Sequence, residues 1–264
     1  MYSFNSLQKV YKSTCAFPLI HSQSLVLPYI YLNQITYIKA LNLQKYIVKN
    51  RIENKLGNVL LLVQHPPTYT TGRREKEKSE NERLRLKEFG AEYYETLRGG
   101  QVTFHGPGQL VGYPILDIRN YKLSVRCYVE AIERVVIDTC TTYGIKAKTT
   151  KDTGVWVNDD EKICAIGIQV QRYITSHGFA LNCNTDLTWF DHILPCGLKD
   201  KKMTSISKEL NKLKNENDLI EIGVGEVLPN LCKSFGKVFN CNVVSLHELN
   251  DEKILQLKNA ILNY

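Results

Sequence analysis

Apolar positions along this chain fall in short clusters whose spacing changes from one region to the next. From Lys39 to Arg51, Ala40, Leu41, Leu43, Ile47 and Val48 recur at helical intervals, which predicts a helix inside the fold. Val59-Leu60-Leu61-Leu62-Val63 is an unbroken apolar run halted by Pro66-Pro67, the pattern of a buried strand. Residues 73–89 are rich in charge and read as a surface loop with a short helix, followed by a strand over Glu92–Thr96. Val125, Val129, Ile132, Val136 and Ile137 give helical spacing across Ser124–Tyr143, with Gly144 placed to end it. Residues 145–183 read mostly as strands: Ile145–Ala147, Gly154–Val157, Ile163–Val170 and Tyr173–Cys183, joined by turns such as Asn158-Asp159-Asp160. Beyond Leu219, helical signals alternate with a short strand near Val243-Val244, and a last helix covers Asp251–Leu262. The Lys/Asn-rich stretch Lys208–Asp218 reads as a flexible loop. Strands cluster without strict interleaving of helices, so the expected class is α+β, a mixed or largely antiparallel sheet with flanking helices.

Composition narrows the class. Apolar residues make up 43% and charged residues 23% of 264, as in an ordinary globular domain. No stretch approaches the ~18 consecutive apolar residues of a membrane span. The net charge of +7 is spread along the chain and favours acidic partners. Without basic–aromatic interleaving or zinc-finger spacing, nucleic acid is not an expected partner. The first acidic residue is Glu53, preceded by Lys9, Lys12, Lys39, Lys45, Lys49 and Arg51. Such a start fits an organellar transit segment, placed at residues 1–26, leaving 27–264 as a single catalytic domain. The eight cysteines form no Cys-x-x-Cys pair, so they read as reduced thiols, most of them small buried hydrophobes.

Three segments carry candidate chemistry. Residues 98–115 hold five glycines, two prolines, Arg98 and His105. Turns at Gly99-Gly100 and Gly106-Pro107-Gly108 let backbone approach a ligand and point freed N–H groups at a carbonyl or anion. Arg98 is a candidate for a phosphate, as on a phosphopantetheine arm, although a glycine-rich turn is as often only a turn. Residues 162–190 begin with Lys162 at the edge of an apolar strand, where it either snorkels to solvent or exchanges protons with a thiol. His177-Gly178-Phe179-Ala180 is a second place of close approach, with His177 itself more in keeping with a structural histidine. Cys196, between Pro195 and Gly197, sits on a turn and is the best placed of the cysteines to act as a nucleophile if a base activates it.

Together, the glycine-rich segment, the strand opening at Lys162, the run His177–Asn182 and the Pro195-Cys196-Gly197 turn resemble the lipoyl(octanoyl) transferase family in order and spacing. The resemblance spans about residues 28–245 and is nearest the animal mitochondrial branch through 162–210. It implies the catalytic fold shared by biotin and lipoate protein ligases and a location in the mitochondrial matrix. It implies an ATP-independent transfer of octanoyl from octanoyl–acyl carrier protein to a lysine of lipoyl domains, such as those of the glycine cleavage H protein and the E2 subunits of 2-oxoacid dehydrogenases. Cys196 would carry the acyl group as a thioester and Lys162 would lower its pKa. Substrate would lie along Arg98, Gly99, Gly100, Gln101, Val102, Thr103, Phe104 and His105, along Ala165, Ile166 and Gly167, and along Gly178, Phe179 and Ala180. No cofactor or metal is implied. Cys164, where many bacterial members carry alanine, is expected to be a bystander. The rival readings are an ATP-dependent ligase on the same fold, an amidotransferase between proteins, and a non-catalytic binder of carrier domains; a binder needs neither Lys162 nor Cys196.

Overall fold

In a computed structural model that describes residues 15, 25–73, 79–193, 201–213, 219–250 and 252–262, the chain enters its main sheet at once. β1 (Leu25–Gln34) leads into helix α1 (Tyr37–Ile52), then β2 (Val59–Gln64) and β3 (Thr68–Thr71). Helix α2 (Ser79–Glu88), β4 (Glu92–Glu95), β5 (Thr103–His105) and β6 (Gln109–Ile115) follow. Next come helix α3 (Val125–Thr141), β7 (Val155–Trp156), β8 (Glu161–Gln171) and β9 (Ile174–Asn182). The chain ends with β10 (Lys202–Met203), α4 (Ile206–Leu213), α5 (Val224–Phe239), β11 (Cys241–Ser245) and α6 (Glu252–Leu262).

The main sheet runs β10-β8-β9-β6-β2-β1-β11, with β7 also on β8, and a small sheet runs β4-β3-β5. β1 is parallel to both β2 and β11, and β10 is parallel to β8, whereas β2-β6-β9-β8 is antiparallel. The sheet is therefore mixed, as expected. The unbroken run in β2 has a direct cause. Leu60 and Leu62 pack with α3 and α5 on one face, and Val59, Leu61 and Val63 pack with α1 and α6 on the other. A central strand covered on both faces has no polar side to alternate with. A third cluster, with Tyr69, Phe104, Phe190, Ile193 and Met203, joins the small sheet to a 3-10 turn over Leu187–His192.

Several expectations need correction. Ile145–Ala147 forms no strand; its one nearby pairing is the bridge from Lys148 to Trp156, because Ile145 is spent packing against the core below the end of α3. The stretch assigned to a loop from Lys208 is helical as far as Leu213, since Ile206 is buried and Leu210, one turn later, packs beside it; residues 214–218 lie outside the described residues. The cysteines are not all free thiols, because Cys15 and Cys127, 112 residues apart, are disulfide-bonded, a pairing no spacing could reveal. Apart from Cys15, the proposed transit segment up to residue 24 lies outside the described residues, and Leu25 and Val26 pair with Cys241 and Asn242. No described helix is long and apolar enough to cross a membrane.

Candidate active site

β8 changes surroundings halfway along. Between Glu161 and Cys164 it has partners on both sides, β7 on one and β10, then β9 from Cys164, on the other. From Ala165 onward its ladder continues only with β9, and on the other side the Gly99 N–H reaches the Ile168 carbonyl at 3.0 Å. The glycine-rich segment thus runs along an edge that no strand covers. Between the two lies a cavity of about 500 Å³, within the range of sites for small ligands. Residues 99–103 and His105 line it, together with Ala165–Gly167, Gly178–Ala180 and Lys162. Glycine is required at Gly167, where a Cβ would stand 2.8 Å from the Gly99 carbonyl oxygen and 3.0 Å from Arg98 Cδ.

One of the residues assigned to the substrate does not line the cavity. Phe104 turns away from the cavity and is buried in the third cluster, its ring stacked on Trp189 with centroids 5.1 Å apart; strand alternation sends it to the face opposite its neighbours Thr103 and His105. Arg98 lines the cavity, and its two terminal nitrogens also brace the turn. Nη2 donates to the Thr70 carbonyl (2.6 Å), to Thr70 Oγ1 (2.9 Å) and to the Gln101 carbonyl (2.9 Å), and Nη1 donates to the Gly99 carbonyl (2.9 Å). These bonds hold the glycine turn in shape.

From Arg98 a directed hydrogen-bond chain crosses the buried centre. Gln109 Nε2 donates to Asn182 Oδ1 (2.9 Å) and to the Phe104 carbonyl (3.1 Å), so its Oε1 accepts from His105 Nδ1 at 2.9 Å. His105 Nε2 is then the acceptor for Thr70 Oγ1 at 3.1 Å, the same hydroxyl that accepts from Arg98. At the far end Asn182 Nδ2 donates to the Thr204 carbonyl (2.9 Å), and the Thr204 N–H donates to the Lys162 carbonyl (2.9 Å). The chain ties the glycine turn to the strand that carries Lys162. Burial, then the neighbouring His65 and Arg98, hold His105 well below the usual histidine range, so the ring is neutral, as this pattern requires. His65 is likewise pushed down to about 4 by burial. Its Nδ1 donates to the Ile35 carbonyl (2.7 Å), which leaves Nε2 to accept from the Tyr113 hydroxyl (2.7 Å).

Lys162 is 3% exposed, so it does not snorkel. Its Nζ donates to the Thr153 carbonyl at 3.1 Å and lies 4.5 Å from the centre of the Trp156 ring. The next residue of that turn, Gly154, donates its N–H to Glu133 Oε1 at 3.0 Å. Glu133 is buried on α3, and desolvation raises its pKa against the opposing pull of the Gly154 N–H and the Lys162 charge. Sequence reading passed over Glu133 because it lies beside Ile132 in an apolar stripe; an acid in such a place was the available signal.

Cys196 lies within 194–200, outside the described residues. The flanking residues Ile193 and Met203 belong to one cluster with Val102, and Met203 is in register with Lys162. The five free cysteines among the described residues are all buried. Burial pushes Cys140, Cys232 and Cys241 up to about 12, and raises Cys164 and Cys183 as well, so none is an accessible thiolate. Cys164 is a core residue. Among the described residues no three His, Cys, Asp or Glu side chains group as a metal site.

The lipoyl protein ligase A/B catalytic domain family matches residues 36–235, most of the chain and all of this cavity. The chain belongs to that family. Within it, the chain is 48% identical over 216 residues to the mitochondrial octanoyl-[acyl-carrier-protein]:protein N-octanoyltransferase of Danio rerio, covering 81% of this chain and 92% of the relative. It is 40% identical over 244 residues to an octanoyltransferase of Acidobacterium capsulatum, covering 86% and 96%. The solved structure of a lipoate-protein ligase A bound with ATP superposes with a TM-score of 0.63 at 12% identity, covering 91% of this chain and 94% of that one, and shows a shared fold. This member of the lipoyl protein ligase A/B family is an octanoyltransferase, hence an acyltransferase, and is mitochondrial.

Proposed function

We propose that this enzyme takes octanoyl from octanoyl–acyl carrier protein onto Cys196 and passes it to a lysine of lipoyl domains, without ATP. The position of Lys162 carries this reading: a buried ammonium in the wall of the cavity, on the strand that pairs with the returning chain at Met203. The thiols support it by elimination, since seven of the eight cysteines are either disulfide-bonded or buried with raised pKa.

In the first half-reaction the proton of Cys196 already rests on Lys162, and the thiolate sulfur attacks the thioester carbonyl. The carbon–sulfur bond to the carrier breaks, and the carrier leaves as a thiol with the proton returned by Lys162. In the second half the amine of the acceptor lysine attacks, an amide forms, and Cys196 leaves with the proton the amine surrenders. One thioester is exchanged for another of similar energy and then for a more stable amide, so no nucleotide is consumed. Gly100 and Gln101 line the same cavity, and their backbone N–H groups are the candidates for holding the oxyanion. The acceptors expected are lipoyl domains of the glycine cleavage H protein and of 2-oxoacid dehydrogenase E2 subunits, and the chain's net charge of +7 suits acidic protein partners.

The test is intact mass after mixing with octanoyl–acyl carrier protein alone, for wild type and Cys196→Ser. A hydroxylamine-sensitive octanoyl adduct on wild type only is expected. Labelling that appears only after ATP and free octanoate are added would replace this reading with a ligase.

A further inference from the structure

His177 lines the reaction cavity and also a second cavity, of about 550 Å³, between α1 and the far ends of β8 and β9. Leu41, Val48 and Ile52 of α1 give the second cavity an apolar wall. Two buried polar atoms of residues in its lining, Gln44 Nε2 and His177 Nδ1, have no hydrogen-bond partner. Gln44 Oε1 is already occupied by the His177 backbone N–H at 2.8 Å. His177 has a left-handed φ of 54°, uncommon for a residue with a side chain. Unsatisfied buried groups cost on the order of 1–3 kcal/mol each and call for a partner the protein itself does not supply. At the rim stand Lys45, Lys49 and Arg172, none of them in an ion pair among the described residues. The rim acid Glu53 is paired with Lys55 at 2.7 Å, which leaves Glu95 as the other acid there.

We propose that this second cavity receives the phosphopantetheine arm of the acyl-carrier donor. The inference rests on the reading that the donor is octanoyl–acyl carrier protein. Such an arm is a slim chain with a thioester at one end, two amides and a geminal dimethyl group along its length, and a phosphodiester at the other end. The apolar wall suits the hydrocarbon parts. An arm carbonyl accepts from Gln44 Nε2, and the neutral His177 ring, pushed down to about 3 by burial and the nearby cations, meets an arm amide at Nδ1. Lys45, Lys49 and Arg172 face the phosphate. Past His177 the thioester end enters the cavity lined by Gly167, Gly178 and Lys162. The phosphate is thus read at α1 and the tip of β8, while Arg98 donates from Nη1 and Nη2 within its own surroundings.

The experiment compares three small octanoyl donors on the full chain: S-ethyl octanethioate, octanoyl-pantetheine and octanoyl-phosphopantetheine, beside octanoyl–acyl carrier protein. kcat/KM is expected to rise about tenfold at each addition, amides first and phosphate second. Lys45→Gln/Lys49→Gln, both exposed positions, should erase the phosphate step and leave the ethyl thioester unchanged. Gln44→Met should shrink the amide step. Equal use of the three donors by wild type overturns the proposal, as does a lysine variant that lowers all three alike. Transfer from the carrier protein but from no free thioester overturns it too, with the transfer reading intact. Transfer from none of the four donors removes the transfer reading itself.

Discussion

Glu133 and Lys162 act on one turn: the Gly154 N–H is held by Glu133 Oε1 at 3.0 Å, and the preceding carbonyl, of Thr153, accepts from Lys162 Nζ at 3.1 Å. The carboxylate positions the backbone that positions the ammonium, and its charge acts on the same ammonium. Glu133→Gln keeps an oxygen for Gly154 and removes the charge. Single-turnover octanoyl loading is expected to slow about tenfold in this variant, with the unfolding midpoint near that of wild type. Loading at the wild-type rate would reduce Glu133 to a structural acceptor. Glu133→Ala removes the acceptor as well and should cost ~1–3 kcal/mol in urea unfolding.

Stability should fall on mild acidification. His65 and His177 are held at about 4 and about 3, and His105 well below 6.5, all by burial first. Their folded-state pKa values are depressed, so as pH falls below 6.5 the unfolded chain takes up protons that the native state refuses. The stabilisation is complete above 6.5 and is lost progressively as pH falls toward the folded values. Each histidine contributes up to ~1.4 kcal/mol per pH unit across that window. Urea midpoints taken at about pH 7 and about pH 5 should show the drop, and His65→Gln should reduce it. An unchanged drop in that variant would remove His65 from the account.

Gly167→Ala should separate loading from folding. The added methyl meets the Gly99 carbonyl oxygen and Arg98 Cδ and must push the glycine turn off the edge of β8. Octanoyl loading is expected to fall about 100-fold, the scale of a misplacement near 1 Å, with the thermal midpoint shifted by only a few degrees. Unimpaired loading would show that the turn does not border the reacting group.

Cutting the buried chain at its middle should be costly. Gln109→Leu leaves the His105 Nδ1–H and the Asn182 Oδ1 without the partners they now have. The expected loss is on the order of 2–4 kcal/mol in urea unfolding for two orphaned groups. A loss below about 1 kcal/mol would mean that water takes the amide's place.

Legibility in the sequence followed how each residue is held. β2 could be read because a strand apolar at every position must be covered on both faces. The glycine-rich turn and Lys162 stood out because their residue types are unusual where they occur. β3 went unread because its buried positions are Thr68, Tyr69, Thr70 and Thr71. Their burial depends on hydrogen bonds to distant partners, such as Thr70 to His105 and Thr96 to the Thr71 carbonyl. Arg98 was read for its charge, but its Nη1 and Nη2 donate to three carbonyls and a hydroxyl, and none of these could be assigned without the turn's conformation. Glu133 looked like one more polar residue of an amphipathic helix until its neighbour across the fold, Gly154, was in view.

The parallel pairing of β1 with β11 has a kinetic consequence. Leu25–Tyr29 lies beside Cys241–Ser245, and β1 is the strand between β2 and β11. The start of the sheet therefore acquires its outer neighbour only when residues from the far end of the chain arrive. Until then β1 presents an unpaired edge, open to the wrong partner. Closing a loop of most of the chain's length is slow and yields nothing until it is nearly complete. A chain that enters its compartment N-terminus first would have to remain uncommitted until almost all of it has arrived, making assembly a late event and the waiting intermediate a natural client for chaperones.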